Sequence, residues 1–142
     1  MLPNQQCPIS TDQVISLHAK AMETRGQVRF PVGSRARDCV DEKVGNASTA
    51  DRISAANNDI GQSGLSFAGY ILFYLVRGHC FVDGNKRIGW IAAVEVLRER
   101  GLEINSTDAE AIDLVRMIAT NEVSDGASVV KWIAERVVSI QP

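Results

Sequence analysis

The chain has 142 residues, 45% of them hydrophobic and 23% charged, which suits one domain, residues 1–142, with a core of its own. A net charge of −2 argues against non-specific nucleic-acid binding, which needs a basic surface. The longest apolar run is too short for a bilayer, which takes about 20 residues. Met1 to Ser10 lacks a basic n-region and an apolar run, so no secretory signal is expected. Cys7, Cys39 and Cys80 form no close pair, so reduced thiols in the cytoplasm are the expected setting.

Taken in order, Ser10-Thr11-Asp12-Gln13 opens a first helix, with Ser10 or Thr11 as cap. Val14, Leu17, His18, Ala21 and Met22 follow at helical spacing, and Gly26 stops the run. His18, on or beside the apolar face, is expected to be a hydrogen-bonded structural histidine. Gln27 to Gly33 alternates polar and apolar residues before a Pro/Gly turn, which marks a short edge hairpin or an irregular loop. Ser34 to Gly64 is polar and gives no assignment beyond a helical fragment around Asp51 to Ala56.

Leu65 to Arg77 is apolar on every side, the mark of a helix buried in the core, and Gly78 stops it. Ile88 to Leu97 is a second such helix, with Gly89, Ala92 and Ala93 allowing close packing and Gly101 as its stop. Leu102 to Asn105 alternates and reads as extended. Ser106 or Thr107 caps the next helix, whose apolar positions are Ala111, Ile112, Leu114, Val115 and Ile118. Asn121 to Gly126 is a turn. A last helix starts at Ser128 and runs through Val129, Trp132, Ile133, Arg136 and Val137, with Trp132 as a core anchor. The expected fold is mainly α: a bundle of about five or six helices with a short β-hairpin.

Between the two buried helices lies His79-Cys80-Phe81-Val82-Asp83-Gly84-Asn85-Lys86-Arg87. A polar loop in that place must satisfy its own groups or offer them to a ligand. Asp83-Gly84-Asn85 reads as a turn in which Gly84 takes a positive φ, and Asn85 is expected to cap the helix that follows. The helix start is an anion site, strengthened by Lys86 and Arg87. His79 suits a general base, and Asp83 offers an oxygen ligand for Mg²⁺. Phe81 and Val82 are expected to anchor the loop in the core, and Cys80 to pack. Together these groups point to phosphate chemistry on a nucleotide.

The same residues resemble the Fic/Doc signature, H-x-F-x-[D/E]-G/A-N-x-R. Arg77-Gly78, Val96 to Gly101, Leu17-His18 and Ala119 to Ser124 extend the resemblance toward the death-on-curing (Doc) branch of toxins, although it is weak between Gln27 and Gly61. The resemblance implies a Fic/Doc-like helical bundle in which His79 deprotonates a target hydroxyl that then attacks a nucleotide phosphate. It also implies ATP and Mg²⁺ as cofactors, Asp83 as metal ligand, Gly84, Asn85 and Arg87 on phosphate, and a flap at Gln27 to Gly33 aligning the target peptide.

Two positions separate phosphate transfer from AMP transfer. AMP-transferring Fic enzymes usually carry Gly where Lys86 stands and a second Arg where Trp90 stands. Lys86 fits Doc-like transfer of the γ-phosphate, with elongation factor Tu as the branch's target, whereas Gly84 follows the AMP-transfer pattern. The inhibitory helix of many Fic proteins, [S/T]-x-x-x-E-[G/N], fails in Ser106 to Ala111 at its last position, so a Phd-like antitoxin in trans is expected instead. A non-catalytic helical binding module remains the rival from another class.

Overall fold

The computed structural model describes residues 7–24, 33–56 and 63–140. Among these residues there are six helices and two short strands: α1 (Thr11–Thr24), α2 (Ser34–Ala56), α3 (Ser63–Gly78), α4 (Asn85–Glu99), β1 (Leu102–Ile104), α5 (Asp108–Ala119), α6 (Gly126–Ala134) and β2 (Val137–Ser139). The mainly helical bundle expected from the sequence is therefore the fold.

Helix α3 is the axis of the core. Phe67, Ala68, Ile71, Leu72, Leu75 and Val76 are all essentially buried, and the helix packs against α4, α2 and α6. Removing such side chains from water, at about 25 cal/mol per Å², is what holds the bundle together. Helix α4 turns Ile88, Ala92, Ala93, Val96 and Leu97 inward. Gly89 lets the two helices approach closely: a Cβ there would lie 2.7 Å from Val76 Cγ2 and 3.2 Å from the Leu72 carbonyl oxygen. Just past the end of α4 and its cap Arg100, Gly101 takes φ 76° while its N–H donates to the Arg98 carbonyl.

Local caps fix the other helix starts. Ser10 and Gln13 exchange bonds ahead of α1: Ser10 N–H donates to Gln13 Oε1 at 2.7 Å, and Gln13 N–H to Ser10 Oγ at 3.1 Å. Thr107 and Glu110 form the same box at α5. Asp125 caps α6 by accepting from Ser128 N–H at 2.7 Å. The last helix thus starts two residues before Ser128. It stops at Ala134, so Val137 continues not a helix but strand β2.

The expectations for residues 34–64 also need correcting, because residues 34–56 form one long helix. Its apolar stripe is thin, with Val40, Val44 and Ala47 buried at helical spacing and most of the remaining surface polar. Contacts of Arg37 with Asp12 (2.5 Å) and of Thr11 with Asp41 tie α2 to α1.

The strands pair antiparallel, Leu102 opposite Ser139 and Ile104 opposite Val137, and α5 and α6 lie between them in sequence. The extended stretch expected at Leu102 is strand β1. The flap expected at Gln27 to Gly33 lies outside the described residues, Gly33 apart. Among the described residues no helix is long and apolar enough to cross a membrane.

Candidate active site

The loop 79–84 joins the ends of α3 and α4. His79 opens it with φ 53°, a left-handed backbone that non-glycine residues seldom adopt. Phe81 is 7% exposed and seats the loop in the core, as expected. Val82 does not: it is 86% exposed, because the chain turns outward after Phe81.

Asn85 is not the helix cap either. Gly84 holds that position, at φ 81° and ψ 16°, without a side-chain cap bond. The Asn85 carboxamide instead reaches back over the loop. Its Oδ1 accepts from Phe81 N–H at 3.0 Å, and its Nδ2 donates to the Phe81 carbonyl at 2.9 Å. It works as a brace on the loop.

Helix α1 supplies a second brace. His18 Nε2 donates to the Asp83 carbonyl at 2.8 Å, and the acceptor's nature fixes the proton on that nitrogen. The His18 ring stacks on Phe81, centroids 3.7 Å apart and planes within 10°. The structural role expected for His18 is therefore correct, and it acts on the loop itself.

These braces bring His79, Asp83, Gly84, Asn85, Lys86 and Arg87 to the wall of one cleft of about 880 Å³. Every residue singled out for the site lines it. The first intrahelical bond of α4 runs from Ile88 N–H to the Gly84 carbonyl, so the N–H groups of Asn85, Lys86 and Arg87 lack acceptors within the helix. Together with the exposed side chains of Lys86 and Arg87 they form a positive rim on a chain of net negative charge. Asp83 Oδ1 accepts from Gly84 N–H at 2.8 Å, which fixes its carboxylate beside that rim.

The rest of the lining is mostly apolar. Helix α5 contributes Ala111, Ile112, Val115 and Ala119, with Asp108 at its start, and Trp90, Ile91, Val76, Val82 and Met22 complete it. Trp90 meets Trp132 edge to face at 6.2 Å, and Arg136 covers the Trp132 ring at 4.1 Å. The α5 wall is not foreseen from the sequence, which shows Ala111, Ile112, Leu114, Val115 and Ile118 only as the apolar positions of one helix. Leu114 and Ile118 do face inward, but Ile112 is 64% exposed. The signal was present in the width of the stripe: Ala111, Val115 and Ala119 add a second apolar line beside Leu114 and Ile118.

The cysteines also differ from expectation. Cys39 of α2 and Cys80 of the loop form a disulfide, across 41 positions of sequence, and Cys7 is free and exposed. Helix packing brings the two together although their spacing gives no hint of it.

The family model for the Fic/DOC family matches residues 8–97, from α1 into the last turn of α4, with the whole loop. The chain belongs to the Fic/DOC family. Members of this family transfer a nucleotide or phosphate group to proteins, a transferase-type reaction. A comparison with curated proteins returns no match to the chain. The Fic/DOC segment carries the loop and its two braces, whereas the apolar α5 wall lies after it in sequence.

Family members typically use a nucleoside triphosphate and Mg²⁺. Among the described residues no group of three or more His, Cys, Asp or Glu side chains could hold a metal by themselves. Mg²⁺ does not need such a cage, since it binds through one or two carboxylates plus substrate phosphates and water. Asp83 beside the positive rim fits that mode.

Proposed function

We propose that the protein is a Doc-like phosphotransferase, moving the γ-phosphate of ATP to a hydroxyl of a target protein. His79 takes the hydroxyl proton as the oxygen attacks phosphorus, and the bond to the leaving nucleoside diphosphate breaks. The phosphates lie along the α4 N-terminus, beside Gly84 and against the N–H groups of Asn85, Lys86 and Arg87, with the Lys86 and Arg87 side chains opposing their charge. Asp83 would hold Mg²⁺ with phosphate oxygens, adding charge neutralisation there. Asn85 acts mainly through backbone and brace, because its side chain is engaged with Phe81.

The observation that carries γ-transfer is Trp90. Where AMP-transferring enzymes place a second Arg for the distal phosphates, this chain lines the cleft with an indole packed on Trp132. Lys86, also on the cleft wall, supports the same orientation.

AMP transfer is the second reading, and Gly84 was its support. Local geometry gives Gly84 a separate reason. At φ 81° any side chain is strained, and a Cβ would come within 2.9 Å of Met22 Sδ and 3.2 Å of His18 Nε2. The glycine is explained by the turn and by α1, so it weighs little for AMP.

Glu110 accepts from Thr107 N–H at 2.9 Å and is engaged in the α5 cap, which disfavours it as an inhibitory glutamate. Restraint would then come from a Phd-like antitoxin in trans, with elongation factor Tu as the expected target and the cytoplasm as the place of action. ATP labelled separately at the α and γ positions, incubated with protein, Mg²⁺ and lysate, tests the reading. Label reaching a protein only from γ is expected, and label only from α overturns it. Lys86→Gly is expected to lower γ-transfer about tenfold, the worth of one charge-assisted bond.

A further inference from the structure

We propose that Cys39 and Cys80 form a redox-modifiable site that sets the position of His79 in the cleft. The consequence for transfer rests on His79 being the base proposed above; the site itself does not.

Cys80 directly follows His79, and its disulfide partner lies on α2 with Cα atoms 5.5 Å apart. None of the described residues of α2 lines the cleft, so the crosslink ties the base's neighbour to a helix outside it. His79 holds a left-handed backbone, which costs a non-glycine residue energy and persists only where its surroundings enforce it. Four constraints surround it. Helix α3 ends just before it at Gly78, and Asn85 and His18 grip Phe81 and Asp83 after it. Between those anchors, the bond from Cys80 to Cys39 fixes the adjoining residue, and it is the constraint that chemistry can remove.

The Cys39 sulfur lies 3.8 Å from the Gly78 carbonyl oxygen, so a thiol there has an acceptor in place. Both cysteines are half-buried, within reach of a small thiol. In the exchange, a thiolate of a dithiol reductant attacks one sulfur and the Cys39–Cys80 bond breaks. The reductant's second thiol closes its own disulfide. Two electrons and two protons pass to Cys39 and Cys80, which become thiols. Disulfides that form transiently in a reducing compartment usually serve such sensing. The crosslinked state holds His79 in the cleft and is the faster one, and reduction lets residues 79–80 relax.

The test uses the full chain, oxidised with glutathione disulfide or reduced with dithiothreitol. Intact mass after maleimide labelling counts free thiols, and transfer rate, amide exchange over residues 79–84 and helical circular dichroism are read on both states. After oxidation only Cys7 is expected to carry an adduct, maleimide or glutathione, and after reduction all three cysteines are expected to carry maleimide. Reduction is expected to slow transfer about tenfold or more, through kcat rather than the nucleotide KM, as misplacing a catalytic group does. It is also expected to speed exchange at 79–84 with helicity kept. Cys39→Ser stays at the slow rate in both conditions, and Cys7→Ser responds like the natural chain. Three labelled thiols after oxidation, equal exchange in the two states, equal rates, or lost helicity on reduction would each overturn the proposal. If no state transfers any phosphate, the transferase reading fails, and labelling with exchange still decides the redox site.

Discussion

His79 and Gly84 bracket the loop with two left-handed backbones, φ 53° and φ 81°, and only one of them is a glycine. Gly84 was legible in the sequence because a turn between Asp83 and Asn85 needs a positive φ. The strain at His79 was not, because nothing in the residue type announces it. Asn85 was misassigned for a related reason: an Asn at a helix start usually caps, but here the carboxamide spans back to Phe81. Gly84→Ala tests the turn directly. Left-handed alanine costs roughly 1–2 kcal/mol, so the melting temperature should fall by several degrees, as read by thermal circular dichroism. An unchanged melting temperature would mean that the turn is not held as described.

Among the elements, α3 and α4 are readable from all-round hydrophobicity stopped by Gly78 and Gly101, and α5 from its spaced apolar positions after the Thr107 cap. Helix α2 was not, since Val40, Val44 and Ala47 are too few among polar residues to show a period. The cap at α5 carries two predictions. Thr107→Ala removes the hydroxyl that accepts from Glu110 N–H and should cost about 1 kcal/mol by denaturant titration. Glu110 is held below its ordinary carboxylate value, chiefly by the Thr107 N–H it accepts. Its folded pKa is depressed, so its contribution is present above the unfolded value of about 4.3 and lost as pH falls through the folded one. Glu110→Gln should therefore flatten the loss of melting temperature below about pH 4.3. A pH profile identical to the natural chain's would count against the capping box.

At the scale of the whole molecule, packing brings sequence-distant residues onto the loop. His18 meets Asp83 across 65 positions and Cys39 meets Cys80 across 41. Neither contact leaves a mark in spacing, whereas the loop's own residues were legible as a contiguous pattern. Closing a loop of that size restricts the unfolded chain, in the loop-entropy account by about 4 kcal/mol. Reduction should therefore lower the urea midpoint while leaving the helical signal of the folded state intact, and an unmoved midpoint would contradict this. In the proposed function, the cleft transfers a phosphate with His79 as base. The most direct measurement compares natural protein and His79→Ala for transfer of γ-phosphate to a protein, alongside ATP binding by calorimetry. Loss of transfer by about 100- to 10,000-fold with binding largely kept is expected, because a general base acts in the transition state. Transfer by His79→Ala at the natural rate would contradict the account.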